Sequence, residues 1–229
     1  GIPTIPGYHG DDQDNKRLLE EADVIGFPIM IKAAAGGGGK GIRIVHDRKE
    51  FISAAESAAR EAISAFGDGK LLLEKFIIDP RHIEFQILAD RFGHTVHLLE
   101  RECSIQRRHQ KIIEETPSLA LSSDLRESMG EAAVKVAQTV GYTNAGTVEF
   151  MLSGKDYYFL EMNTRLQVEH AITEATSGID IVKWQIRIAA DERLTIQQSE
   201  VKSRGHAIEC RIYAEDPEKS FLPSTGTLH

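Results

Sequence analysis

Four consecutive glycines, Gly36-Gly37-Gly38-Gly39, stand between two short strand-like runs and are followed by Lys40 and Gly41. No other feature of the sequence constrains a fold as much. Glycine loses more backbone freedom on folding than any other residue, so a run of this kind is costly for an ordinary turn. It suits a place where backbone amides lie close against a ligand, because no side chain holds them off. Ile29-Met30-Ile31 reads as a strand before the loop and Ile42-Arg43-Ile44-Val45 as a strand after it. Gly36, Gly38 and Gly41 satisfy G-x-G-x-x-G, but a dinucleotide-binding turn opens directly into a helix, and here a strand follows. Gly39-Lys40 fits a P-loop, yet Ala34 and Gly41 break its spacing. The expectation is a glycine loop folded over a phosphate chain, with Lys32 reaching phosphate oxygens. A long flexible hairpin turn is the plain alternative.

The rest of the chain reads as α+β. Helices are expected over Lys16–Val24, over Arg48–Phe66 with Phe51, Ile52, Ala55, Ala59, Ala62, Ile63 and Phe66 on one face, over Asp124–Val140, and at about Val168–Ser177 and Ile179–Ala190. Asp124 and Glu127 have capping-box spacing. Strands are expected at Leu71–Phe76, His82–Ala89, Thr95–Glu102, Thr147–Leu152, Tyr157–Met162 and Ala207–Tyr213. The division expected is a small unit over residues 1–76 and a larger one, rich in antiparallel hairpins, over 77–229. A formal charge of −8 argues against a dedicated nucleic-acid binder. Two cysteines, Cys103 and Cys210, cannot make a disulfide framework and suit a reducing compartment. No apolar run is long enough to span a membrane, and no basic, apolar leader opens the chain.

Three tracts carry chemistry. If the Ser153–Asp156 turn centres on Lys155, Glu149 lies opposite Glu161, with Asn163 two along on the same face. Opposed carboxylates repel unless bridged, and Mg²⁺ is the hard cation commonly held by carboxylates together with substrate phosphates. In Asn163-Thr164-Arg165-Leu166-Gln167-Val168-Glu169-His170, the Arg165 fork suits a small oxyanion, and Glu169 beside it can take a proton if its pKa suits. Equally, Glu169 can serve a helix N-terminus. The tract from Glu102 to Lys111 carries Arg107, Arg108, His109 and Lys111, which suit a nucleotide or form a solvated face.

Taken in order, Ile31-Lys32-Ala33 with Gly36–Gly41, Glu74-Lys75-Phe76, Pro80-Arg81-His82-Ile83-Glu84, Gln106–Lys111 and Glu161–His170 resemble the biotin carboxylase family of ATP-grasp enzymes, over nearly the whole chain. The Pro6-Gly7-Tyr8-His9-Gly10 opening is most similar to the α subunits of acyl-CoA carboxylases. The resemblance implies an ATP-grasp fold, a glycine-loop lid above a larger antiparallel sheet. It implies ATP contacts from Lys32, Gly36, Gly37, Gly38, Gly39, Lys40, Gly41, Glu74, Lys75, Ile77, His82, Gln106, His109 and Lys111. It implies Mg²⁺ (or Mn²⁺) on Glu149, Glu161 and Asn163, bicarbonate at Arg165, Gln167 and Val168, Glu169 as general base, and Arg211 facing biotin. Ala171 departs from the proline that follows this string in the family, which bears on local backbone only.

The activity implied is ATP-dependent carboxylation of biotin. Glu169 deprotonates bicarbonate, which attacks the γ-phosphate and displaces ADP to give carboxyphosphate; this then breaks down, and the phosphate it releases takes the biotin ureido proton while Arg211 stabilises the developing oxyanion. Catalytic contributions are expected from Glu169, Arg165, Arg211 and Lys111. The implied partners are a biotin carrier domain and a carboxyltransferase, in a homo-oligomeric parent of the cytoplasm or mitochondrial matrix. The family's N-terminal domain and the completion of its C-terminal one are expected to lie outside these 229 residues, leaving this stretch alone poorly active. Two alternatives stay open: another ATP-grasp ligase of the carbamoyl phosphate type, and a nucleotide-binding module without turnover.

Overall fold

The computed structural model describes residues 1–35, 42–107 and 110–227. The glycine loop, Gly36–Gly41, and His109 lie outside the described residues. The chain divides into two compact units, Pro3–Asp79 and Pro80–His229 with Gly1–Ile2.

The smaller unit is a four-stranded antiparallel sheet with two helices on one face. Its strands are β1 (Gly7–Tyr8), β2 (Ile29–Ala33), β3 (Arg43–Val45) and β4 (Leu71–Lys75), in the order β1-β4-β2-β3. Alternation along β2 buries Ile29, Ile31 and Ala33, and along β4 it buries Leu71 and Leu73. Helices α1 (Asn15–Ile25) and α2 (Phe51–Phe66) cover that face with Leu18, Ala22, Phe51, Ala55 and Ala58. Asp14 caps α1 by accepting from the Lys16 amide. Only part of the apolar stripe expected on α2 is inward. Ala58 takes an interior place, whereas Ile63 and Phe66 are exposed. Arg48–Glu50 forms a 3₁₀ turn ahead of the helix.

The larger unit is a six-stranded antiparallel sheet. It comprises β5 (Arg81–Ala89), β6 (Thr95–Arg107), β7 (Gln110–Thr116), β8 (Asn144–Ser153), β9 (Asp156–Asn163) and β10 (Ala207–Cys210), ordered β10-β7-β6-β5-β8-β9. Helix α3 (Ser123–Thr139) packs Met129, Ala133 and Ala137 against Ile83, Phe85, Ile87, Val148 and Phe150 on one face. On the other face, α5 (Ile181–Ala189) sets Ile181, Trp184 and Ile188 against Leu88, Val96, Leu98 and Ala145, and α4 (His170–Ser177) lies over β6, β7 and β10. Each fully buried large apolar side chain is worth about 1.5–3 kcal/mol, so these two clusters fix the sheet. The α3 cap is Ser122, whose side chain accepts from the Leu125 amide, and not the Asp124 box read from the spacing. Among the described residues no helix is long and apolar enough to cross a membrane.

Two departures from the sequence reading matter for function. β6 continues through Gln106-Arg107, and Gln110–Thr116 forms a strand of its own, so Arg107 and Lys111 lie at two strand ends, while Arg108 and His109 lie outside the described residues. Along the β8–β9 hairpin the loop is Gly154-Lys155, with Gly154 at φ +61°, and the residue numbers of pairs next to it sum to 309: Ser153 with Asp156, Leu152 with Tyr157. Leu160 is bulged out, and beyond it the sum becomes 310, so that Glu149 faces Glu161.

Candidate active site

The site in the larger unit follows from strand alternation. Odd positions of β5, Ile83, Phe85 and Ile87, enter the apolar cluster under α3. Even positions therefore share the opposite face, and these are His82, Glu84, Gln86 and Leu88. β8 is paired so that Glu149 stands opposite Glu84 and Thr147 opposite Gln86. The shared face thus runs from charged at one end, through Gln86 and Thr147, to apolar at Leu88 and Ala145.

Lys111, from the start of β7, reaches into the charged end. Its Nζ lies 2.5 Å from Glu84 Oε2, 2.8 Å from Glu149 Oε1 and 2.8 Å from Glu169 Oε1. Burial alone would push the Lys111 ammonium down; the three carboxylates outweigh it and hold the ammonium well above its ordinary range. Burial likewise would raise Glu149, but His82 and Lys111 beside it hold its carboxyl well below the usual range. Glu149 Oε1 also accepts from Asn163 Nδ2 and Gln167 Nε2, each at 2.9 Å. His82 Nε2 is 2.8 Å from Glu149 Oε2, off the line of a good hydrogen bond, and Gln106 Nε2 lies 3.3 Å from His82 Nδ1.

Glu169 joins this cluster to Arg211. Its Oε2 accepts from Arg211 Nη2 at 2.8 Å, and Arg211 Nε donates to Glu114 at 2.6 Å. Burial would raise the Glu169 carboxyl, and Lys111 reverses that and keeps it lowered. Glu114 differs: burial dominates over Arg211, and its carboxyl is pushed up. Glu209, directly across the β7–β10 ladder from Glu114, is pushed up by burial as well. Glu169 does stand immediately before α4, but its side chain caps nothing there. Its charge is spent on Lys111 and Arg211.

The remaining expected residues are distributed as follows. Glu161 is exposed, and Asn163 Nδ2 lies 3.5 Å from its Oε1. Two carboxylates and an amide on one face of a hairpin are the hard oxygen donors that Mg²⁺ takes. His82, Glu84 and Glu149 also offer ligand atoms within 4.8 Å of one another, but the Lys111 ammonium already bridges the two carboxylates. Arg165 and Val168 are exposed, and Gln167 is buried. In the smaller unit, Lys32 and Glu74 lie on the sheet face opposite the helices and form an ion pair. Lys75 donates to the Gly26 and Phe27 carbonyls, each at 2.8 Å, and so ties β4 to the α1–β2 turn. Ile77 follows β4, half-buried.

Glu84, Arg101 and Glu114 belong to this cluster without having been singled out from the sequence. Each is fully buried. For Glu84 the available signal was the strict alternation Ile83-Glu84-Phe85-Gln86-Ile87, which places polar groups on one face of a strand that is central in its sheet and therefore away from water.

Residues 1–197 match the family described as Carbamoyl-phosphate synthase L chain, ATP binding domain. All of the chain aligns with the Dictyostelium discoideum methylcrotonoyl-CoA carboxylase subunit alpha at 55% identity, covering 33% of that protein, and with the Nostoc biotin carboxylase at 56%, covering 51%. The chain belongs to this family of ATP-binding domains. It spans about a third to a half of the relatives it matches. A solved biotin carboxylase domain, the dimer from the Hydrogenobacter thermophilus 2-oxoglutarate carboxylase in complex with MgADP, ADP and bicarbonate, superposes with TM-score 0.80 at 53% identity. That match covers 97% of this chain and 49% of the other. Biotin carboxylase relatives include mitochondrial subunits and bacterial proteins.

Proposed function

We propose that this chain carries out the ATP- and bicarbonate-dependent step of biotin carboxylation, as the carboxylase part of a larger biotin-dependent enzyme. The observation that carries this reading is Glu169, a single carboxylate held between the cations Lys111 and Arg211. A MgADP- and bicarbonate-holding relative with the same fold supports it.

Bicarbonate would sit against Arg165, Gln167 and the Val168 backbone, next to Glu169. The lowered carboxyl of Glu169 is ionised at neutral pH and is a weak base while Lys111 and Arg211 hold it. Lys111 and Arg211 have stronger anions to meet once substrates arrive. As they turn to phosphate and to the biotin oxygen, Glu169 loses its partners and binds a proton more readily. Glu149, Glu161 and Asn163 would hold Mg²⁺, which supplies neutralisation of the phosphate charge when bound. Lys32, Glu74, Lys75, Ile77, the Gly36–Gly41 loop, His82, Gln106 and His109 would hold the nucleotide. Lys75 would do so by stiffening the strand end, given its bonds to Gly26 and Phe27. Arg211, oriented by Glu114, would face biotin. A biotin carrier domain and a carboxyltransferase complete the reaction sequence, in a homo-oligomer.

The test is Glu169→Gln in the full-length protein. MgATP affinity should hold, and bicarbonate- and biotin-dependent ADP release should fall by about 10²–10⁴-fold. A loss under tenfold at saturating bicarbonate removes Glu169 from the base role. ADP release that needs no biotin would favour a ligase of the carbamoyl phosphate type.

A further inference from the structure

Arg101 lies at the centre of the larger unit, fully buried, on β6. A guanidinium has five N–H donors in a rigid fork, and here each meets a side-chain oxygen. Nε donates to Glu84 Oε1 at 2.6 Å, and Nη1 to Gln86 Oε1 at 2.8 Å and Thr173 Oγ1 at 3.0 Å. Nη2 donates to Thr147 Oγ1 and Gln167 Oε1, both at 3.2 Å. These acceptors come from β5, β8, the segment after β9 and α4, so one side chain ties together four parts of the fold.

Two of the acceptors have their other end in the site. Glu84 gives one oxygen to Arg101 and the other to Lys111. Gln167 gives its carbonyl oxygen to Arg101, which leaves its amide nitrogen to donate to Glu149. A reversed Gln167 amide would set N–H groups against a guanidinium that can only donate, leaving buried donors without acceptors.

We propose that Arg101 is a positioning residue. It fixes Gln167 with its carbonyl toward Arg101 and its NH₂ toward Glu149, so that one N–H stays on Glu149 and the other meets an arriving anion as a hydrogen-bond donor. The proposal rests on the assignment of Gln167 to the bicarbonate pocket. Lysine cannot take the same place, because one ammonium on a flexible stem reaches Glu84 or Gln167 but does not span both.

The experiment is steady-state, biotin-dependent ADP release by the full-length protein, with bicarbonate and MgATP varied separately. Arg101→Lys should raise KM for bicarbonate at least about tenfold and change KM for MgATP by less than about threefold. Equal effects on both, or on kcat alone, would mean that Arg101 only fills the interior, and would overturn the proposal. Gln167→Ala keeps the two assignments apart. If it leaves KM for bicarbonate unchanged, the pocket assignment fails and the proposal with it. If it raises that KM while Arg101→Lys does not, the pocket stands and the positioning role fails. Should Arg101→Lys not fold, Thr147→Val removes the acceptor that shares Nη2 with Gln167 and keeps the shape. It should raise KM for bicarbonate about threefold with MgATP unaffected, and an unchanged KM overturns the proposal.

Discussion

Glu149 faces Glu161 across the β8–β9 ladder only because Leu160 is bulged out between Phe159 and Glu161. In a regular strand Phe159 and Glu161, two residues apart, would point to the same face. The extra residue lets Phe159 pair with Phe150 on the apolar face while Glu161 pairs with Glu149 on the polar one. Glu161→Gln should therefore raise the Mg²⁺ concentration needed for nucleotide binding by about tenfold while leaving the hairpin folded, since it removes one anionic donor from a hard cation. Calorimetric ATP titrations at several Mg²⁺ concentrations measure this, and an unchanged dependence removes Glu161 from the metal site.

Lys111→Met leaves Glu84, Glu149 and Glu169 facing one another without their shared cation. Removing one partner of a buried ion pair costs about 3–5 kcal/mol. In the wild type the lowered carboxyls of Glu149 and Glu169 contribute stability above the ordinary carboxylate range, lost only as pH falls through their depressed values. In the variant, burial and mutual repulsion are opposed by His82 at Glu149 and by Arg211 at Glu169 but no longer by Lys111, so the same carboxyls rise and protonation relieves them. The stability deficit should be widest near pH 8 and shrink toward pH 5. Urea melts of both proteins at the two pH values test this, and a deficit independent of pH refutes it.

His97 is buried against Phe85, and its Nδ1 accepts from the Leu99 amide. Burial lowers its pKa to about 4 from an ordinary 6.5. The folded state thus holds the neutral ring while the unfolded state takes the proton first. Stability should be full above pH 6.5, fall as pH drops toward 4, and level off below, for a total on the order of 3 kcal/mol from this residue. His97→Phe should flatten that part of the stability–pH profile relative to wild type. Parallel curves for the two proteins between pH 7 and 4 would count against it.

Gly130 sits inside α3, where alanine is the better helix former by about 1 kcal/mol. A Cβ there would fall 2.5 Å from His97 Nε2, with the whole ring edge inside 3 Å. Gly130→Ala should accordingly destabilise by about 1–3 kcal/mol, and by much less in a His97→Ala background. Additive effects of the two substitutions would show that the close approach is not the cause.

Much of this was legible because the chemistry of the chain is local. Gln106–Lys111 and Glu161–His170 are contiguous strings, and strand alternation placed Glu149 opposite Glu161 even though the turn was centred on the wrong residue. Half a residue of error at Gly154-Lys155 was cancelled by the bulge at Leu160, which no periodicity announces. β7 was hidden for a related reason. Glu114-Glu115-Thr116 does not look like a strand until its neighbours β6 and β10 close over it and bury Glu114 against Arg211. Charge in the interior is invisible to rules that equate polarity with the surface. Arg101 and Glu114 are read correctly only when their partners from distant segments are in view.

The alternation on β5 ties two fates together. The residues that hold the sheet to α3 and the residues that surround Lys111 are neighbours on one strand, one step out of phase. A slip of β5 by one position would drive Glu84 among Met129 and Ala133 and turn Phe85 toward Lys111, so that no chain is half assembled here. Packing and chemistry therefore share one register, and a disturbance of either face of β5 is felt at the other.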